Sequence, residues 1–119
     1  MPRILIADDS AFQRQVIKGI VSSANYQVAG EAVNGKQAVE LYVKLAPNLV
    51  TMDMTMPELN GIDALKAIKA LDPKAKVLMV TAMGYQEYVI ECLQLGASGF
   101  VVKPFTKEQL LDQIKACLS

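Results

Sequence analysis

Asp8, Asp9, Asp53, Thr81 and Lys103 are the side chains of this sequence best suited to chemistry, and each closes a short apolar run. Runs of that length read as buried strands. In open α/β sheets the carboxyl ends of the strands form the edge where ligands bind. Three carboxylates, a hydroxyl and an ammonium would therefore meet at one edge, although 95 positions separate Asp8 from Lys103. Stability alone explains such a set poorly. Two carboxylates about 5 Å apart repel by about 3 kcal/mol at an effective dielectric near 20, and one lysine cannot neutralise three acids. A hard divalent cation can. Mg²⁺, with Mn²⁺ as a substitute, takes a few carboxylates together with waters and phosphate oxygens. Asp53 is then a candidate nucleophile forming an aspartyl phosphate. Lys103 and the metal would neutralise the charge on the equatorial oxygens, and Thr81 would donate a hydrogen bond. Each acid alone has a plainer explanation, Asp8-Asp9 as a helix cap and Asp53 as a wet loop residue. The set does not.

The elements that must position these groups alternate regularly. Arg3 to Asp8 is a β-branched, apolar first strand. Ser10 with Gln13 forms a capping-box pattern, and Phe12, Val16, Ile17, Ile20 and Val21 recur at helical spacing up to a stop at Asn25. Tyr26 to Ala32 gives strand two. Asn34 with Gln37 repeats the cap, and Ala38, Val39, Leu41, Tyr42 and Leu45 line a second helix that Pro47 ends. Strand three, Leu49 to Asp53, runs into a loop closed by Pro57, Asn60 and Gly61. Helix three spans Ile62 to Leu71, strand four Val77 to Thr81, and helix four Gln86 to Leu95, with Gly96 beyond its end. Gly99 to Val102 is strand five, and Thr106 with Gln109 caps a fifth helix reaching Leu118. Five strands alternating with five helices predict a doubly wound parallel α/β domain without repeats or linkers, one unit from residue 1 to 119.

Composition removes several classes of function. Hydrophobic residues make up 52% of the chain, enough for a sheet covered on both faces and too many for a disordered tail. Twelve basic and twelve acidic residues cancel, so no net field favours nucleic acid or an anionic membrane. No apolar run has the length of a membrane span, and the N-terminus lacks the pattern of a signal peptide, so the expected location is cytoplasmic. Cys92 and Cys117 fall in helical patterns without metal-ligand spacing and read as buried thiols. With no histidine in the chain, imidazole catalysis and histidine-ligated zinc are excluded.

Asp8-Asp9, Met52-Asp53-Met-Thr-Met-Pro57 with Gly61, Thr81-Ala82 and Lys103-Pro104-Phe105, in this order and spacing, resemble the receiver domains of two-component response regulators. The resemblance covers the whole chain and is greatest to single-domain, CheY-like chemotaxis regulators. It implies a flavodoxin-like fold of strand order 2-1-3-4-5, and a phosphoacceptor role for Asp53. It implies direct Mg²⁺ ligation by Asp9, Asp53 and the Thr55 carbonyl, with Asp8 acting through a water. Thr81, the Ala82 amide and Lys103 would contact the phosphoryl group, and the Lys103–Pro104 peptide would be cis, as is common in the family. Phe100 occupies the position of the family's switch aromatic, although on its own it reads as a core phenylalanine of strand five. Thr55 and Met83 fill the two positions that tune phosphate lifetime. Neither has the carboxylate or amide that best orients water, so slow to moderate self-hydrolysis and an auxiliary phosphatase are expected.

Helix four has more apolar residues than one inward stripe needs. Ile90 and Leu95 are the candidates for the core. Val89 and Leu93 would form an exposed docking stripe near Phe100, flanked by Tyr85 and Tyr88, unless the whole helix is buried. The resemblance implies a histidine kinase as phosphoryl donor and a target protein, such as a flagellar motor switch protein, on helix four, strand five and helix five. With no residues after helix five to act as output, the receiver surface of a monomer would itself be the output. A receiver in another phosphorelay would look similar. Two other classes compete. A small phosphohydrolase with an aspartyl nucleophile would share Asp53-Met-Thr55, but its second acid loop is missing. A flavin-binding domain would share the fold, but the acidic edge repels a flavin phosphate.

Overall fold

The computed structural model describes residues 1–119. Five strands, β1 (Arg3–Ala7), β2 (Gln27–Ala32), β3 (Leu49–Met52), β4 (Val77–Thr81) and β5 (Gly99–Val102), form one parallel sheet in the order β2-β1-β3-β4-β5. The expected architecture is present, including the strand order. Helices α1 (Ala11–Ser23), α2 (Gly35–Leu45), α3 (Gly61–Leu71), α4 (Gln86–Gln94) and α5 (Lys107–Leu118) connect and follow the strands. Successive strand residues point to opposite faces, and that alternation divides the core in two. Leu5, Ala7, Val50, Met52, Val77 and Met79 pack against residues of α2, α3 and α4, among them Ala38, Leu65, Ile68 and Cys92. Ile4, Ile6, Leu49, Leu78, Val80 and Val101 face Ile17 and Val21 of α1 and Leu110, Ile114 and Cys117 of α5. All residues of β3 and β4 are buried, as strands covered on both faces must be.

Four of the five helix starts are built by side-chain caps, α4 being the exception. The side chains of Ser10, Asn34, Asn60 and Thr106 each accept the backbone N–H three residues on. Only Thr106 and Gln109 complete a reciprocal box. At Ser10 the expected return bond from Gln13 is absent because the Ser10 amide donates instead to Asp8 Oδ1, at 2.9 Å. At the second helix Gln37 reaches one residue further back, accepting the Val33 amide at 2.8 Å. Helix α3 begins one residue earlier than expected, with Asn60 as its cap. Strand β3 stops at Met52, so Asp53 lies just past its end. Gly96, beyond α4, has φ +101° and provides the left-handed turn there, and the Lys103–Pro104 peptide is cis.

Two readings of helical faces need correction. Phe12, expected on the inward stripe of α1, is 63% exposed, and Val16 is exposed beside it. The strand-facing residues of that helix are Ile17 and Val21. In α4, Ile90 is exposed rather than part of the core. Cys92 is the buried residue of this helix. Tyr88, Leu95 and the half-buried Val89 lie three or four positions away on its face, whereas Ile90 lies two positions away, on the opposite side. The exposed apolar pair is thus Ile90 and Leu93, not Val89 and Leu93.

Candidate functional site

Parallel strands bring the ends of β1, β3, β4 and β5 to one edge, and backbone hydrogen bonds carry the pairing just past the strands. The Asp53 amide donates to Ala7 O at 2.9 Å, the Asp8 amide to Ala32 O at 3.0 Å, and the Lys103 amide to Thr81 O at 2.8 Å. One carboxylate oxygen each of Asp8, Asp9 and Asp53 lies within 4.8 Å of the other two. Asp8 is buried, with one oxygen on the Ser10 amide and the other 2.6 Å from Lys103 Nζ. Lys103 Nζ lies 3.7 Å from Asp53 Oδ2, so the ammonium bridges the two buried acids and leans toward Asp8. Asp53 is 8% exposed, whereas Asp9 faces solvent.

Burial pushes the Asp53 carboxyl above the usual aspartate range. Lys103 opposes this, Asp8 adds to it through like charge, and hydrogen bonding to the Thr81 hydroxyl and the Thr55 amide pulls the value down. An acid so placed gains from any added cation. Three hard oxygen ligands around an edge with a single ammonium match the donor chemistry of Mg²⁺. The loop also depends on Gly61: a Cβ there would come within 2.0 Å of the Asp53 carbonyl oxygen. The Gly61 amide donates to Met54 O at 2.8 Å, fastening the loop below the acid.

The structure brings the other anticipated residues to this edge or to the neighbouring face. Thr81 is buried, and its hydroxyl oxygen accepts the Met83 amide at 3.3 Å. Ala82 and Thr55 are exposed, and the Thr55 hydroxyl donates to the Met83 sulfur at 3.3 Å. Phe100 is half-buried and packs on the same cluster as Met83, Tyr88 and Leu95. Tyr85, 64% exposed, lies with its ring centroid 5.9 Å from that of Tyr88. Leu93 is exposed as expected, while Val89 is half-buried.

Sequence reasoning missed Arg14. Its Nη1 donates to the Asp8 carbonyl oxygen at 2.7 Å, and its Nε to Glu31 at 3.2 Å, with Lys18 on the other Glu31 oxygen at 3.3 Å. The guanidinium thus ties the loop bearing the acids to α1 and β2. The only advance signal was position: Arg14 stands one turn after the Ser10 cap, facing the loop.

A model of the response regulator receiver domain family matches residues 4–115. The chain is 52% identical over 112 residues to the chemotaxis protein CheY of Thermotoga maritima, covering 94% of this chain and 93% of that protein. It is 53% identical over 114 residues to a Bacillus subtilis protein named CcdB, covering 96% and 95%. In fold it matches a chain of the CheX–CheY–BeF3–Mg²⁺ complex from Borrelia burgdorferi with a TM-score of 0.96 and 33% identity, covering 98% of this chain and 89% of that one. Fold, acidic edge and sequence agree: the chain belongs to the response regulator receiver family and is CheY-like within it.

Proposed function

We propose that this protein is a phosphorylation-dependent switch in chemotaxis, with Asp53 accepting a phosphoryl group from a histidine kinase. The observation that carries the reading is the convergence of Asp8, Asp9 and Asp53 within 4.8 Å beside a single ammonium. Similarity to CheY proteins supports the chemotaxis assignment. A carboxylate oxygen of Asp53 attacks the phosphorus while the donor's bond to it breaks, leaving an acyl phosphate. Lys103 turns from Asp8 toward the new dianion, and the Thr81 hydroxyl and Ala82 amide donate to its oxygens. Asp9, Asp53 and the Thr55 carbonyl would hold Mg²⁺, with Asp8 contacting it through water. When bound, the ion supplies charge neutralisation for the transferring group.

Catalysis is confined to the protein's own phosphorylation and its slow reversal, so the chain works as a binding module rather than a turnover enzyme. The output is a monomer's α4–β5–α5 face, remodelled as Thr81 moves inward and Phe100 follows, and a flagellar motor switch protein is the target that fits a chemotaxis role. An auxiliary phosphatase would end the signal. The 53% identity to a protein not named for chemotaxis favours, as a second reading, a receiver serving another phosphorelay.

Intact mass after treatment with Mg²⁺ and a small acyl-phosphate donor tests the first step. Wild type gains one phosphoryl group, whereas Asp53→Asn or chelated wild type gains none. An adduct on the Asn variant would move the acceptor elsewhere. The lifetime follows from Thr55 and Met83, neither of which can direct a water as a carboxylate or amide does. The exchange Thr55→Asn with Met83→Glu should change the decay rate at least threefold, and an unchanged rate would sink that assignment.

A further inference from the structure

The chain has six methionines, and the fold treats one unlike the rest. Met52, Met54, Met56 and Met79 are at most 7% exposed, and Met1 stands free at the terminus. Met83 is half-buried in the loop between β4 and α4, beside the acidic edge. Its amide donates to the Thr81 hydroxyl and its sulfur accepts the Thr55 hydroxyl, both at 3.3 Å. Thr81 and Thr55 are also the two residues whose hydrogen bonds lower the pKa of Asp53. Met83 therefore touches both flanks of the proposed acceptor, and it is the one internal thioether with access to solvent.

We propose that Met83 is a modification site for peroxides, and that its conversion to the sulfoxide shortens the life of a phosphoryl group on Asp53. The lifetime part rests on the receiver function proposed above. In the reaction a sulfur lone pair attacks one peroxide oxygen, the S–O bond forms and the O–O bond breaks. The departing hydroxide takes the proton from the transferred oxygen and leaves as water. Sulfur loses two electrons and the peroxide gains two. A thioether is a weak hydrogen-bond acceptor, whereas the sulfoxide oxygen is a strong and polar one. Held between Thr55 and Thr81, that oxygen accepts a hydrogen bond from a water and so orients it toward phosphorus, help that the thioether cannot give. It also competes for the Thr55 hydroxyl that the sulfur now holds.

The test has two readouts. Wild-type protein is exposed to dilute hydrogen peroxide, and sulfoxide at each methionine is followed by peptide mass mapping. Met83 should oxidise at least fivefold faster than Met52, Met54, Met56 and Met79. Oxidised and untreated protein are then phosphorylated with a small acyl phosphate and Mg²⁺, and the adduct's decay is timed. The oxidised form should lose it at least twofold faster, and Met83→Leu should decay at the same rate with and without peroxide. Oxidation of Met83 no faster than of the buried methionines overturns the site. Unchanged decay after full conversion, or a peroxide response that survives in Met83→Leu, overturns its effect on lifetime. If untreated protein takes up no phosphoryl group, the receiver function fails and the lifetime effect with it, whereas the oxidation map still decides the site.

Discussion

Asp53 carries a conflict that its neighbouring side chains do not resolve. Its carboxyl is pushed up by burial, and the nearby Asp8 charge adds to this, while Lys103 is shared with Asp8. A carboxyl with a folded-state pKa above its unfolded value binds more protons in the folded state. Its favourable contribution is complete below the ordinary value of 3.8 and is lost as pH rises through the raised one. Ionised Asp53 is therefore a liability at neutral pH, and Asp53→Asn removes it. The variant should be more stable than wild type at pH 7 in chelator, by about 1 kcal/mol, a usual size for one site. The gain should shrink on acidification through the raised pKa and vanish below 3.8. Mg²⁺ at about a hundred times its dissociation constant should stabilise wild type by about 2.7 kcal/mol and reverse the ranking. Urea melts across pH, with and without Mg²⁺, check both. A variant no more stable than wild type at pH 7 in chelator would refute the conflict.

At the scale of elements, β3 does two jobs that pull in different directions. Its four residues are fully enclosed, which holds Asp53 rigidly at the strand's end. Yet it contains Thr51, 1% exposed, whose hydroxyl has no hydrogen-bond partner. Thr51 alternates with Val50 and Met52 and shares the strand face of Leu49, on the side covered by α1 and α5. A buried hydroxyl without a partner costs about 1–3 kcal/mol, and valine has the same branched shape without it. Thr51→Val should raise the urea midpoint, adding about 1 kcal/mol with an unchanged slope, and leave phosphoryl uptake at Asp53 intact. A loss of stability would mean that the hydroxyl has a partner in solution. Tyr42 shows the opposite arrangement. Its hydroxyl donates to Asp72 at 2.6 Å, joining α2 to the end of α3, and burial with this acid pushes the phenol up to about 12.

Across the whole molecule, the proposed switch requires the acids at one edge to influence a surface that none of them touches. The connection available is the loop from Thr81 through Met83 into α4, with Phe100 packed on the same cluster as Met83 and Tyr88. A phosphoryl group shifts this equilibrium only by binding one arrangement better than the other. In the proposed switch the surface to be read would include Ile90 and Leu93, 46% and 48% exposed on α4. Ile90→Ser with Leu93→Ser should leave phosphorylation unchanged and folding stability within about 0.5 kcal/mol per site. Affinity of the phosphorylated protein for a flagellar motor switch fragment should fall at least tenfold, about 1.4 kcal/mol, by calorimetry. Equal binding by the double variant would place the target elsewhere.

Much of this was legible in the sequence because it depends on local rules. Apolar runs, caps and the breaks at Pro47 and Pro57 determine which elements form, and a parallel sheet then brings Asp8, Asp53, Thr81 and Lys103 to one edge whatever their separation along the chain. Periodicity could not decide which apolar residues of a helix face inward when there were more of them than the core could take. Phe12 and Ile90 are exposed because they lie on other sides of their helices from the buried Ile17 and Cys92. Nor could spacing reveal Arg14 holding the Asp8 carbonyl, the sulfur of Met83 under the Thr55 hydroxyl, or Lys103 leaning toward Asp8 rather than Asp53. The last two contacts join segments far apart in sequence, and only the packed structure sets the distances of all three.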